Sequence, residues 1–177
     1  MKLKRITAYL LSLCALALPF AALAEDEAKP LLGRFETYDI YENEVNYEFF
    51  ADYDVTLVNV WGTYCGPCIE EMPYLGELAR EYADAGFGIL GIVIDVYDRD
   101  TLELAINIAE DTGADYTHVI PDAEIVKFLY GVASIPTSYF VDSNGCVISK
   151  IIIGRLSKEG YSEKIEYYLD SVNGGED

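Results

Sequence analysis

Two cysteines, Cys65 and Cys68, are separated by a glycine and a proline, a spacing that lets their sulfurs close a small disulfide ring. The pair follows an apolar, β-branched run and precedes a helical pattern, so it is predicted to lie where a strand leads into a helix. Unpaired backbone N–H groups at such a helix start stabilise a thiolate. We therefore expect Cys65 to be the nucleophile and Cys68, one turn further in, to be the resolving thiol.

The same pair of cysteines is also compatible with an inert disulfide or with half of a zinc site. Structural zinc needs four ligands, and the other candidates, His118 and Cys146, have no paired spacing. We expect no metal and no cofactor. His118 is interpreted as structural, and Cys146 is expected to remain a thiol.

The elements that must position the pair alternate between strands and helices. Strands are predicted at Val55–Val60, Phe87–Ile94 and Thr117–Ile120, and a hairpin at Thr137–Val141 and Cys146–Ile152 around an Asn-Gly turn. Helices are predicted from Cys65 to Asp84, from a capping box of Asp100 and Glu103, from Asp122 to Tyr130, and from Lys158 to Val172. This order predicts an α/β fold, with a central mixed sheet and helices on both faces.

The N-terminus has the layout of a secretory signal peptide. Lys2, Lys4 and Arg5 precede an almost wholly apolar run from 6 to 23, which ends in the small-x-small cleavage pattern Ala-Leu-Ala. The run is also long enough for a membrane anchor, since about 18–20 residues suffice. We divide the chain into a signal peptide or anchor (1–24), a linker (25–34), one domain (35–173) and a tail (174–177). Export would place the cysteines where thiols can oxidise.

The charge of the chain excludes several classes of function. With 31 acidic and 12 basic residues, the formal net charge is −19. A nucleic-acid binder needs positive charge to replace the counterions of phosphates, and so does a protein that adheres to an anionic membrane surface. We expect neither nucleic acid nor a lipid surface as a partner.

Three stretches carry a family resemblance. The segment Val58–Cys68, which reads VNVWGTYCGPC, resembles the active site of thioredoxins; Pro73 stands where their helix has a kinking proline, and Ile135-Pro136-Thr137 resembles their cis-proline loop. The closer resemblance is to extracytoplasmic thioredoxins of the TlpA/ResA kind. It implies a thioredoxin-like fold with an N-terminal β extension and an extra αβ segment, 95–121, before the cis-proline.

Of two acidic residues that members of these groups have near the cysteines, this chain lacks one and has the other. Thioredoxins proper have a buried aspartate six residues before the first cysteine, where this chain has Asn59. ResA-like proteins have a glutamate three residues after the second cysteine, here Glu71. That residue shares a helix face with Cys68 and can exchange a proton with it, so we count it as catalytic. The alternative is a solvated helix glutamate like its neighbour Glu70.

Four further residues are candidates for substrate binding. The resemblance implies a cis bond before Pro136 and a backbone edge at Ile135 that can pair with an extended substrate; the alternative is a trans proline that starts the next strand. Trp61 is expected to pack beneath the cysteine loop, and Tyr64 to form part of an apolar contact surface.

The resulting expectation is an extracytoplasmic thiol–disulfide oxidoreductase, a monomer that reduces disulfides of exported proteins. The Gly-Pro pair favours a reducing character, and thioredoxin itself lies near about −270 mV. The resemblance implies apocytochrome c or another exported thiol protein as substrate, and a membrane electron donor that reduces the Cys65–Cys68 disulfide again. The alternatives are a disulfide-donating oxidant and a non-catalytic binding module of the cell envelope. A peroxiredoxin is disfavoured, because its Pro-x-x-x-Thr-x-x-Cys signature fits neither cysteine.

Overall fold

A computed structural model describes residues 29–174 of the chain. Its strands are β1 (Glu36–Tyr38), β2 (Glu44–Asn46), β3 (Val55–Trp61), β4 (Phe87–Val93), β5 (Thr117–Val119), β6 (Thr137–Asp142) and β7 (Ile152–Ile153). Its α-helices are α1 (Gly66–Glu81), α2 (Arg99–Thr112), α3 (Ala123–Leu129) and α4 (Lys158–Asn173), and 3₁₀ turns cover Tyr47–Asp52 and Ala83–Ala85. The predicted signal peptide or anchor and the last three residues of the tail lie outside the described residues. Between 29 and 174, no helix is long and apolar enough to cross a lipid bilayer.

A five-stranded mixed sheet of order β5-β4-β3-β6-β7 forms the centre of the fold. Strands β3, β4 and β5 are parallel, whereas β6 runs antiparallel to β3 and β7 antiparallel to β6. Strands β3 and β4 are buried along their whole length, as expected for central strands covered on both faces. The predicted fold class is confirmed.

Alternate residues of β3 point to opposite faces of the sheet and so belong to two separate cores. Leu57 and Trp61 pack under α1, α2 and α4, and the buried polar side chain of Asn59 lies on the same face. Val58 and Val60 belong to the second core, which α3 and the N-terminal segment cover. The cysteine motif therefore starts at the edge of the first core.

The N-terminal β extension is a short antiparallel hairpin of β1 and β2. It is joined to the main sheet through an isolated bridge between Asp39 and Val119. Leu32, Phe35 and Phe50 bury their side chains in the second core, so this extension contributes to the packing of the sheet.

Helix α2 begins two residues earlier than the predicted capping box, and this corrects the assignment to Asp100 and Glu103. Asp98 is the N-cap: its Oδ1 accepts the backbone N–H of Thr101 at 2.9 Å, and the Thr101 hydroxyl accepts the N–H of Asp98 at 3.1 Å. Thr101, at the third helical position, thus returns a hydrogen bond to the N-cap residue, the role that a glutamate has in the predicted capping box.

The predicted hairpin strand Cys146–Ile152 is also corrected, because only Ile152–Ile153 forms a strand, preceded by a bridge between Val141 and Val147. Side chains replace part of the expected ladder. The Ser149 hydroxyl accepts the N–H of Phe140, and Asp142 Oδ1 accepts the N–H of Cys146, each at 2.9 Å. Hydrogen bonds to side chains compete here with continuous strand pairing.

Candidate active site

Cys65 and Cys68 form a disulfide at the N-terminus of α1, immediately beyond the carboxyl end of β3. Cys65 is the N-cap residue, and the backbone N–H of Cys68 donates to its sulfur at 3.2 Å. Pro67 occupies the first turn, where its missing N–H removes no helical bond. Cys65 retains 6% of its accessible surface and Cys68 none, so Cys65 is the more accessible residue of the pair.

The loop between β3 and α1 is held by an aspartate that the sequence analysis did not single out. Asp95, just after β4, accepts the backbone N–H of Thr63 at 3.0 Å and its hydroxyl at 2.6 Å. The only sequence signal was an acid directly after a buried strand. A Cβ at Gly62 would lie 3.2 Å from the Tyr64 ring and 3.3 Å from the Ile135 side chain, so glycine permits these two loops to approach.

The loop before β6 contributes the second side of the site. The Ile135–Pro136 bond is cis, Pro136 is buried, and Ile135 is half-buried. Among residues 29–174, no group hydrogen-bonds to the backbone N–H or C=O of Ile135. Tyr64 projects into solvent with 71% of its surface exposed. The candidate substrate-binding residues thus include an open backbone edge and an exposed aromatic ring.

Glu71 lies on the buried face of α1, one turn after Cys68, and has no exposed surface. Its Oε1 accepts an N–H of Asn59 at 2.9 Å, and its Oε2 accepts the hydroxyl of Tyr161 at 3.0 Å. Burial raises the pKa of this carboxyl to about 7, although the two donors and Arg155 favour the ionised form. The group is therefore poised to gain or lose a proton near neutrality.

Tyr161 and Ser138 belong to this polar cluster, and sequence reasoning missed both. Tyr161 stands with Ile165 and Leu169 on the apolar stripe of α4, and Ser138 lies within β6. The other N–H of Asn59 donates to Ser138 Oγ at 3.0 Å, and Ser138 also hydrogen-bonds to Tyr161. A tyrosine in an apolar stripe, with a hydroxyl that needs a partner, was the available signal.

Trp61 is fully buried beneath the cysteine loop, so any effect it has on a substrate acts through that loop. Its indole N–H donates to His118 Nδ1 at 3.1 Å, and His118 Nε2 lies 2.9 Å from the carbonyl of Ala114. Because Nδ1 accepts, the ring proton is on Nε2. Burial lowers the pKa of His118 to about 4, which keeps the ring neutral at pH 7. Within the described range, no cluster of three or more potential ligands could hold a metal ion.

Comparison with known proteins gives one matching family and several relatives. The sequence profile of the Redoxin family matches residues 33–166. A thiol-disulfide oxidoreductase ResA of Bacillus thuringiensis (strain Al Hakam) is 36% identical over 112 residues, which are 61% of either protein. Its counterpart in Bacillus thuringiensis subsp. konkukian is 32% identical over 140 residues, 78% of this chain and 74% of the relative.

Solved structures share the fold at lower sequence identity. A thiol:disulfide interchange protein of Chlorobium tepidum superposes with a TM-score of 0.68 at 23% identity, over 80% of this chain and 95% of the other. A thiol:disulfide interchange protein from Bacteroides sp. superposes with a TM-score of 0.64 at 23% identity, over 85% of this chain and 93% of the other. These likenesses concern the fold alone, and the match to the first ResA sequence spans less than two thirds of that protein.

Proposed function

The chain belongs to the Redoxin family, and we propose that it catalyses thiol–disulfide exchange through Cys65 and Cys68. The observation that carries the proposal is the disulfide at the start of α1, in which a helix N–H donates to the sulfur of Cys65. The same N–H, with the positive end of the helix dipole, would stabilise a thiolate there after reduction. The names of the ResA relatives support this chemistry.

The reduced enzyme would act in two displacement steps. The Cys65 thiolate attacks one sulfur of a substrate disulfide, forms a mixed disulfide and releases the other substrate sulfur as a thiolate. Cys68 then loses its proton and attacks Cys65, which breaks the mixed bond and releases the second substrate thiolate. The substrate gains two electrons and, from solvent, two protons; the enzyme is left with the Cys65–Cys68 disulfide.

Glu71 would take the proton of Cys68 in the second step. The two side chains are one turn apart on the buried face of α1, and solvent has no direct access to Cys68. A carboxyl with a pKa of about 7 accepts and returns a proton at neutral pH with little cost in either direction.

The substrate would be an exported protein with a disulfide in an extended segment. Such a segment can pair with the open backbone at Ile135 and contact the exposed ring of Tyr64. We place the protein outside the cytoplasm as a monomeric reductant that a membrane electron donor reduces again, and apocytochrome c fits the substrate class. The resemblance to the TlpA/ResA group and the Gly-Pro dipeptide support this direction.

Reduction of insulin by dithiothreitol tests the activity. The wild type and a Cys146→Ser variant should accelerate the reaction equally, because Cys146 lies in the β6–β7 hairpin, outside the proposed site. Cys65→Ser should leave only the uncatalysed rate. Equal rates with and without the wild type would support a non-catalytic binding module instead.

Redox equilibrium with glutathione tests the direction. A reductant should stay largely oxidised in a buffer of reduced and oxidised glutathione, because its disulfide is the more stable. A pair that is mostly reduced in the same buffer would identify a disulfide donor and refute the proposed direction.

A further inference from the structure

The two carboxylate oxygens of Glu71 have partners of different chemical kinds. Oε1 faces the amide nitrogen of Asn59, which can only donate a hydrogen bond. Oε2 faces the hydroxyl of Tyr161, which can either donate or accept. All three side chains are buried from bulk solvent.

Six other groups contribute to the surroundings of Glu71, among them the backbone N–H of Leu156, which donates towards both Glu71 and Tyr161. Ser138 of β6 hydrogen-bonds to Asn59 and to Tyr161. Tyr116, just before β5, interacts electrostatically with Glu71, and its buried hydroxyl has no partner among the described residues. Arg155, before α4, attracts Glu71 electrostatically, but its guanidinium forms an ion pair with Glu70 at 2.8 Å. The two sulfurs at the N-terminal end of α1 are uncharged in the disulfide form.

We propose that Tyr161 is a positioning residue that places the Glu71 proton on Oε2. When Glu71 is ionised, Tyr161 donates to Oε2. When Glu71 takes up a proton, Oε1 must still receive the N–H of Asn59, so the proton binds Oε2. Oε2 then donates to the tyrosine oxygen, and the tyrosine proton turns towards Ser138 Oγ.

This switch adds one proton to Glu71 and reorients two hydroxyls. The Ser138 hydroxyl donates to Tyr161 while Tyr161 donates to Glu71, and it turns away when the Tyr161 proton turns towards Ser138 Oγ. Neither protonation state leaves a buried donor opposite another donor, which would cost the full desolvation of an unsatisfied group. The link to catalysis, in which the proton comes from Cys68, rests on the proposed function.

Tyr161→Phe removes the hydroxyl and keeps the ring that packs in the core. The ionised carboxyl then loses a charge-assisted bond, and the protonated carboxyl loses only a neutral one. Because the former is roughly twice as strong, the midpoint of the Glu71 titration should rise by about one pH unit.

Infrared titration of the oxidised full-length protein tests this shift. The carboxyl band of protonated Glu71 is identified by its loss in Glu71→Gln, and its midpoint is compared in wild type, Tyr161→Phe and Tyr168→Phe. Tyr168 is on the same helix but packs against Phe140, so its variant should titrate like the wild type. An unchanged midpoint in Tyr161→Phe would overturn the proposal.

A second variant keeps the test decisive if Tyr161→Phe does not fold. With the proton on Oε2, the C=O group of Glu71 is at Oε1 and receives the Asn59 bond. Asn59→Ala should therefore move the carbonyl stretch to higher frequency, and an unmoved band would refute the placement. Both titrations use the disulfide form without substrate, so they remain interpretable if Cys65 and Cys68 prove inactive in exchange.

Discussion

Replacing Glu71 with glutamine should remove a large pH-dependent contribution to the free energy of unfolding. Burial raises the pKa of this carboxyl from an ordinary value near 4.5 to about 7, so the folded protein keeps a proton that the unfolded chain has already lost. The stabilisation is fully present below about pH 4.5 and is lost as the pH rises through 7.

The size of this term follows from the difference of about 2.5 pH units. At about 1.36 kcal/mol for each unit, the free energy of unfolding of the wild type should fall by about 3 kcal/mol between about pH 4 and about pH 8 through this group alone. Glutamine resembles the protonated acid and does not titrate, so its variant lacks that fall.

Urea unfolding of the oxidised protein at a series of pH values measures the effect. Repulsion among the other acidic groups contributes to every variant and cancels in the difference between them. Glu77→Gln makes the same charge change at an exposed position of α1; it removes only a surface ion pair with Lys158 at 2.9 Å, which contributes little to stability, so this variant should follow the wild type. Parallel stability curves for the wild type and Glu71→Gln would refute the account of a buried carboxyl that stays protonated up to about pH 7.

Two further predictions concern other parts of the fold. Gly76→Ala should lower the free energy of unfolding in urea by about 1–3 kcal/mol, because the new Cβ would lie 2.1 Å from the carbonyl oxygen of Gly113. The control Gly66→Ala places its Cβ in open space and should lower it little. Equal losses of stability in the two variants would contradict this packing. His118 is the single histidine of the chain, so its imidazole protons can be assigned directly in an NMR spectrum. Their chemical shifts should not change between about pH 5.5 and 8, because the ring is buried, bonded to Trp61 and neutral in this range. A titration midpoint near 6.5 would contradict this state.

The sequence predicts those features that depend on local patterns. Apolar runs identified the central strands, and the cysteine spacing between a strand and a helix located the disulfide. Capping was less predictable, since the Asp98–Thr101 pair forms the same reciprocal motif two residues before the expected Asp100–Glu103 box.

Contacts between distant segments were not predictable in the same way. Tyr161 is 90 residues from Glu71 in the sequence, and its hydrogen bond arises only when α4 packs beside α1. Asp95 likewise reaches Thr63 because β3 and β4 are parallel neighbours that end at the same edge. Such pairs follow from the tertiary fold: residue type and periodicity can single out one member of the pair, but they do not indicate its partner.

Trapping of the mixed disulfide tests the central claim most directly. The reduced Cys68→Ser and Cys65→Ser variants are each mixed with a peptide that contains one disulfide, and the adducts are identified by mass spectrometry. The account predicts a stable adduct at Cys65 in the Cys68→Ser protein, because the resolving thiol is missing, and none in the Cys65→Ser protein. An adduct at Cys68 alone, or none in either variant, would contradict it.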